Sequence, residues 1–172
     1  MSQPPQSGTR PVNALTTVSA PSHQGWLEQT LQLALTHRQQ GGRPFAALLV
    51  RDNQLVASAV NRMLEAGDPT RHAELEALRT ASQHGPLKGA VVYASGHPCP
   101  MCLAALVMTG VAQVFFAFDN NDAAPYQLSS EGTYQRLRLS LNPSPLPIAR
   151  VDTGITAAQL YGDAPWPEED MK

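Results

Sequence analysis

The only two cysteines of this 172-residue sequence, Cys99 and Cys102, are separated by two residues and follow Pro98. A proline costs a helix little in its first turn, because the first N–H groups of a helix have no intrahelical partner. The segment therefore predicts a helix over residues 98–109 with both sulfurs near its start. The positive end of the helix dipole there favours thiolate over thiol, and two thiolates one turn apart suit Zn²⁺.

A histidine and a glutamate upstream, in His72-Ala73-Glu74, extend this pattern. The imidazole of His72 supplies a third ligand, so a tetrahedral Zn²⁺ keeps one position for water and lowers the pKa of that water to about 7. Residues two apart on an ideal helix point to different sides, so Glu74 is a poor ligand but can take and return protons. The sequence predicts one Zn²⁺ per chain, with His72, Cys99 and Cys102 as ligands and Glu74 as the catalytic residue.

Each part of this pattern has a structural alternative. Cys-x-x-Cys alone is also typical of structural zinc sites and of redox pairs. His97 or His84 is available as a fourth ligand that would close the site to water. The joint occurrence of both motifs in this order favours an open, catalytic centre. His23 and His37 have no such neighbours and are interpreted as surface or packing residues.

Composition excludes several classes of protein. The length suits one domain, and a net charge of −2 with 15% charged residues argues against a surface that neutralises many phosphates. With both cysteines assigned to a metal, no pair is left for an intrachain disulfide, which fits a reducing compartment. No stretch approaches the roughly 18–20 apolar residues of a membrane span. The sequence predicts a soluble, cytoplasmic protein with no membrane partner, and its charge disfavours nucleic acid as a partner without excluding a local patch of arginines.

Apolar spacing and turn residues predict the order of the elements. Residues 1–23 are predicted as a flexible tail, 24–155 as the metal-dependent domain and 156–172 as a C-terminal segment. Strands that alternate with helices indicate an α/β domain with a partly parallel sheet. The predicted elements are a helix ending at Gly41, a hairpin over 44–50 and 55–63, a helix over 71–82 capped by Thr70, a strand over 90–94, the cysteine helix, a strand over 111–118, a helix over 129–141 and a strand over 146–151.

These motifs resemble the cytidine deaminase-like superfamily from about Pro44 to Phe118, and more weakly to Val151. His-x-Glu with Pro-Cys-x-x-Cys is the signature of zinc deaminases. Three segments are similar to the guanine deaminase branch: Arg43-Pro44-Phe45-Ala46-Ala47, Asp68 to Glu74, and Asn121-Asp122-Ala123-Ala124. The resemblance implies a three-layer α/β/α sheet of about five strands with an initial hairpin. It also implies hydrolysis of an exocyclic amino group on a free purine base, with guanine as the leading substrate, and release of ammonia.

The resemblance further implies a set of substrate-binding residues, namely Asn61, Ala73, Phe45, Asp122 and Pro98. Ala73 and Pro98 would act through backbone groups. Alternatives stay open for the other three. Asn61 is also a turn-forming residue, Asp122 a helix cap, and Phe45 an ordinary core aromatic.

The sequence also departs from the branch. His97 stands where a glutamate usually precedes Pro-Cys, and the C-terminal segment is short. In some relatives that segment closes the pocket of a neighbouring subunit, a role open here to Tyr161 or Trp166. The resemblance and the apolar helix from Leu103 to Val107 imply a homodimer that acts on a small nucleobase. A tRNA adenosine deaminase, a cytosine or nucleoside deaminase, and a zinc-stabilised structural module are the alternatives.

Overall fold

A five-stranded mixed sheet lies at the centre of the computed structural model, which describes residues 21–167. The strand order is β2-β1-β3-β4-β5, with β1 antiparallel to β2 and β3 and with β3, β4 and β5 mutually parallel. The predicted sheet of about five strands, with an initial hairpin and partly parallel strands, is confirmed. The strands are β1 (Ala46–Arg51), β2 (Gln54–Val60), β3 (Val91–Gly96), β4 (Gln113–Phe118) and β5 (Ile148–Arg150).

The hairpin between β1 and β2 turns at Asp52 and Asn53, between the two strands that the sequence predicts. Asp52 and Asn53 have φ angles of 51° and 58°, the left-handed backbone that a two-residue hairpin turn of type I′ requires. Asn and Asp tolerate this region better than other non-glycine residues. The turn therefore follows from local sequence chemistry.

Helices cover both faces of the sheet. They are α1 (His23–Gln39), α2 (Met63–Ala66), α3 (Ala73–Ser82), α4 (Pro100–Met108), α5 (Asn120–Ala123), α6 (Glu131–Arg136) and α7 (Ala157–Tyr161). Alternate residues of a strand point to opposite faces, so Leu48 and Val50 of β1 pack near α1 while Leu49 packs with α3 and α4. This three-layer arrangement is the predicted α/β/α fold.

Both helices of the metal motif begin later than predicted, and this changes the site. Thr70 does not cap α3, because its hydroxyl donates to Asp68 and the helix begins at Ala73 with His72 as the N-cap residue. The cysteine helix likewise begins at Pro100, with Cys99 as N-cap. His72 and Cys99 are therefore extended residues that end loops, with ψ angles of 153° and 168°.

Two other predicted elements are shorter in the structure. The return strand of the hairpin ends at Val60, and Met63 begins α2. The helix predicted over 129–141 spans only Glu131–Arg136, and Arg138 just beyond it has a left-handed φ of 54° that no α-helix continues.

The structure describes most of the predicted C-terminal segment but little of the predicted N-terminal tail. The tail predicted over 1–23 lies outside the described residues up to Ala20, whereas His23 already belongs to α1. Within the predicted C-terminal segment, Leu160 and Tyr161 of α7 are buried in a core cluster with Leu31 and Phe118. No helix between residues 21 and 167 has the length and apolar character needed to cross a bilayer.

The hydroxyl of Tyr161 is buried and has no hydrogen-bond partner within residues 21–167. A buried polar group without a partner costs about 1–3 kcal/mol. Tyr161→Phe should therefore raise the free energy of unfolding by about 1 kcal/mol, measured by urea denaturation. Tyr134→Phe is the matched control, because the Tyr134 hydroxyl donates to the Pro98 carbonyl at 2.7 Å and its loss should destabilise. A Tyr161→Phe protein less stable than the parent would show that the Tyr161 hydroxyl does make a stabilising interaction.

Candidate active site

His72 and the two cysteines, which follow it 27 and 30 residues later in the sequence, meet at the start of two helices. The ligand atoms of His72, Cys99 and Cys102 lie within 4.8 Å of one another. Nδ1 of His72 lies 3.5 Å from the sulfur of each cysteine. Tetrahedral zinc, about 2.1 Å from nitrogen and about 2.3 Å from sulfur, separates such atoms by about 3.6 Å. Two sulfurs and one imidazole nitrogen at this spacing fit Zn²⁺.

Neither alternative fourth ligand joins this cluster in the described part of the chain. His84 follows the C-terminal end of α3 while His72 precedes its first residue, and ten helical residues span about 15 Å. The Nδ1–H of His97 donates to the Pro98 carbonyl at 2.9 Å, and His97 is not in the ligand group. The three-ligand set matches catalytic rather than structural zinc sites.

The cysteine thiols differ in acidity because of their surroundings. Hydrogen bonds from the side chains of Cys102 and His72 lower the pKa of the Cys99 thiol to about 4. The hydrogen bond with Cys99, followed by burial, raises the pKa of Cys102. A thiol that coordinates a divalent cation is deprotonated outright, so metal binding is linked to proton release from Cys102.

Glu74 lies in the first turn of α3, beside the ligand cluster. Glu74 is 9% exposed, and its Oε2 accepts a hydrogen bond from the Cys102 sulfur at 3.5 Å. Burial raises the pKa of the Glu74 carboxyl, and the charge of Cys99 raises it further. A carboxyl with a raised pKa next to a metal site can both hold and release a proton near neutral pH.

A cavity of about 350 Å³ opens above the cluster. His72, Glu74 and Cys99 form part of its wall, and Phe45 and Asn61 contribute from the sheet side. The other lining residues are Arg43, Met63, Pro69, His97, Pro100, Met101, Gln127, Leu128, Ser129, Ser130 and Thr133. Burial lowers the pKa of His97. The volume is within the range of small-molecule sites.

Of the five predicted substrate-binding residues, Phe45 and Asn61 line this cavity. The backbone carbonyl of Pro98 is engaged by Tyr134 and His97, and Ala73 is fully buried. Neither belongs to the residues that line the cavity in the described structure.

Asp122 also lies apart from the lining residues. Its Oδ2 accepts from the Asp119 backbone N–H in a capping box and pairs with Arg150 at 2.9 Å. This is the capping role that the sequence left open. A substrate contact for Asp122, Ala73 or Pro98 stays a prediction.

Asn61 forms the turn that the sequence left open, and it also lines the cavity. Its Oδ1 accepts the Met63 N–H at 3.1 Å, as in an Asx turn, and the residue is 4% exposed within the cavity wall. This hydrogen bond occupies one lone pair of the oxygen, and the NH₂ group is the hydrogen-bond donor of the side chain.

Sequence reasoning missed several lining residues. Arg43 is one of them and is buried. Its guanidinium carbon lies 5.9 Å from the centre of the Phe45 ring, and its Nη1 lies 3.4 Å from the Met63 sulfur. Its position just before the Pro44-Phe45 strand was a usable signal. The polar residues from Gln127 to Thr133 belong to no recognisable motif, because only the path of the loop brings them to the cavity.

An ion-pair cluster fixes the loop that carries His72. The Glu76 carboxylate accepts from Arg71 Nε at 3.0 Å and Nη2 at 2.6 Å, and also from Arg79. The hydrogen bonds from Arg71 hold the pKa of Glu76 below its usual range. A depressed pKa in the folded state stabilises the protein above the unfolded pKa, and that stability is lost as pH falls through the folded pKa.

Glu76→Gln should therefore flatten the loss of stability on acidification, which begins near the ordinary Glu pKa of about 4.3. The measurement is the midpoint of urea unfolding between neutral pH and about pH 3. Glu65→Gln is the control, because Glu65 pairs with Arg62 on the surface and both side chains are more than half exposed. If the unfolding midpoint falls equally steeply with decreasing pH in Glu76→Gln and in the parent, this linkage is contradicted.

Comparison with known proteins adds independent information. Residues 20–118 match the family described as the cytidine and deoxycytidylate deaminase zinc-binding region. The guanine deaminase of Bacillus subtilis (strain 168) is 31% identical over 134 residues, which are 76% of this chain and 86% of that protein. A tRNA-specific adenosine deaminase of Aquifex aeolicus (strain VF5) is 32% identical over 95 residues, 54% of this chain and 63% of that protein.

Solved structures agree with the sequence matches. The X-ray structure of the Bacillus subtilis guanine deaminase superposes with a TM-score of 0.66 at 30% identity, over 76% of this chain and 86% of that one. A guanine deaminase structure from Nitrosomonas europaea superposes with a TM-score of 0.67 over 80% and 81% of the two chains. At 19% identity, the second match supports the fold alone.

Proposed function

Because the chain belongs to the cytidine and deoxycytidylate deaminase zinc-binding family, we propose that it hydrolyses the exocyclic amino group of a free purine base, guanine first, and releases ammonia. The observation that carries the proposal is the position of Glu74. Its buried carboxyl lies against Cys102 of the three-ligand cluster and faces a cavity large enough for a base. The chain also spans 86% of the length of the similar guanine deaminase.

In this proposal His72, Cys99 and Cys102 hold the zinc, one ion per chain. When bound, zinc lowers the pKa of water to about 7 and so supplies a nucleophile at neutral pH. Glu74 accepts a proton from the attacking water and delivers it to the amino nitrogen. A carbon–oxygen bond forms, the carbon–nitrogen bond breaks, and the nitrogen leaves as ammonia. The raised pKa of Glu74 suits both halves of this transfer.

The cavity wall opposite the ligands favours a base edge that carries hydrogen-bond acceptors. Asn61 offers an amide NH₂ in this wall, and Arg43 lines the same cavity. Guanine presents a carbonyl oxygen and unprotonated ring nitrogens to such groups. Phe45 supplies an aromatic surface in the same wall. A substrate that lacks these acceptors leaves the buried Asn61 amide unpaired, and the lost binding free energy selects against that substrate.

A tRNA adenosine deaminase is the second candidate, supported by the 95-residue similarity to that class. An RNA stem carries a phosphate at every nucleotide and needs several cations nearby. Among the residues that line the described cavity, Arg43 is the one lysine or arginine, and the whole chain has a net charge of −2. A free base therefore fits the site better.

The assembly state stays a prediction. Val107 and Met108 of α4 are exposed, Met108 by 85%, and with Leu139 they border an apolar groove of about 280 Å³. Such a surface is compatible with the homodimer inferred from the resemblance.

The test is a panel of substrates for the metal-replete chain: guanine, adenine, cytosine, their nucleosides, and a tRNA that presents adenosine in a loop. Ammonia release measures each reaction. We expect guanine to have the highest kcat/KM. Turnover of the tRNA alone, lost at high salt, would replace the proposal with the second candidate, and turnover of cytosine or cytidine alone would replace it with a pyrimidine deaminase.

A further inference from the structure

His37 is buried at the end of α1, far from any motif, and it reaches the candidate active site. The residue is 7% exposed, and its Nε2 lies 2.7 Å from the backbone carbonyl oxygen of Asn61. A carbonyl oxygen only accepts, so Nε2 carries the hydrogen and donates. The sequence alone suggests a packing or surface residue. The structure instead connects His37 to a residue that lines the cavity.

This hydrogen bond completes the fixation of Asn61. The Asn61 N–H donates to the Phe45 carbonyl at 2.9 Å, and its side-chain Oδ1 accepts from the Met63 N–H at 3.1 Å. The carbonyl, held by His37, is the third polar group with a partner. With these three groups fixed, the direction of the amide NH₂ is fixed as well.

Gly42 has no side chain, and this leaves space for the His37 imidazole. A Cβ atom on Gly42 would lie 2.1 Å from the His37 ring, far below any tolerated contact, and the Gly42 N–H donates to the His37 carbonyl at 3.0 Å. The glycine therefore lets the ring pass between α1 and the chain that continues into Arg43 and Phe45. His37, Gly42 and Asn61 also border a small cavity of about 110 Å³ behind the substrate site.

We propose that His37 is a positioning residue: its hydrogen bond to the Asn61 carbonyl aims the Asn61 amide at the base and thereby sets the affinity for substrate. The inference rests on the proposed function, in which Asn61 donates to the base. His37 does not line the cavity and does not touch the reacting atoms. Its effect is therefore on binding, and the proton transfer by Glu74 is unchanged.

The test compares His37→Phe, which keeps a ring without a donor, with His37→Gln, whose amide nitrogen is as many bonds from Cα as Nε2 is. We expect His37→Phe to raise KM for the best substrate about tenfold, as the loss of one oriented hydrogen bond implies, with kcat within about twofold. His37→Gln should restore KM. His84→Phe, at an exposed histidine beyond α3, is the matched control and should change neither constant.

A double-mutant cycle separates positioning from packing. In an Asn61→Ala background, His37→Phe should raise KM no further, since the amide that it aims is gone. Equal effects of His37→Phe with and without Asn61, or an unchanged KM in His37→Phe, would overturn the inference. Asn61→Ala with unchanged KM would instead remove the base contact that the proposed function assigns. If His37→Phe does not fold, Gly42→Ala, which displaces the ring, must give the same KM increase for the inference to stand.

Discussion

Glutamine in place of Glu74 should lower kcat for ammonia release by about a thousandfold or more while the metal stays bound. Glutamine has the shape of glutamate and can still contact Cys102, but its amide cannot accept a proton from water or return one to the amino nitrogen. Burial raises the pKa of the Glu74 carboxyl, which suits a group that must both take up and give up a proton. In the proposed site His72, Cys99 and Cys102 hold the metal and Glu74 does not, so the metal content should be unaffected.

The measurements are kcat from ammonia release and zinc per chain from elemental analysis of the same preparation. Glu65→Gln is the control, since Glu65 is an exposed residue of α2 outside the cavity. Its kcat should equal that of the parent. A Glu74→Gln enzyme with kcat within tenfold of the parent would remove Glu74 from the proton transfer. Loss of zinc together with activity would make Glu74 a ligand instead.

Serine in place of Cys102 should remove the metal and a large part of the stability together. Cys102 is fully buried, and its sulfur lies 3.5 Å from His72 Nδ1. A serine hydroxyl is not a thiolate ligand, so the variant loses the binding free energy that zinc adds to the folded state. With free zinc at about a thousand times its dissociation constant, that contribution is about 4 kcal/mol. For a chain of this length the loss lowers Tm by about 10 °C.

Chelation provides the second half of this test. A strong chelator should lower Tm of the parent to near that of Cys102→Ser and should leave Tm of the variant unchanged. Val107→Ala, at an exposed position of the same helix, is the control and should keep both its zinc and the response to the chelator. A Cys102→Ser protein that retains one zinc per chain would show that the metal is held elsewhere.

Local signals predict most of the sheet and the cluster of ligands. The left-handed pair Asp52 and Asn53 fixes the hairpin, and apolar alternation marks β1, β3 and β4. The metal site was predictable because two short motifs each place ligands at a helix start. The parallel order of β3, β4 and β5 then brings the loops after β3 and β4 to one edge, where Cys99 and the residues after Phe118 lie.

Features that depend on tertiary contacts were not predictable. Thr70 has a good capping side chain, but its hydroxyl bonds to Asp68, so His72 stays extended. The chain beyond Arg136 leaves the helix at Arg138 despite its apolar pattern, which alone does not distinguish a helix from a packed loop. His37 and Arg43 reach the site only through the packing of α1 and the hairpin. Their contacts, His37 with Asn61 and Arg43 with Met63, join residues 24 and 20 positions apart in the sequence.

A labelled-water experiment decides whether this centre performs hydrolytic deamination. The metal-replete chain is incubated with guanine in ¹⁸O-enriched water, and product mass and ammonia are measured together. We predict a product that carries one ¹⁸O atom and ammonia released in equal amount. No ammonia from guanine or from any base in the panel, or ammonia without uptake of the label, would contradict the account.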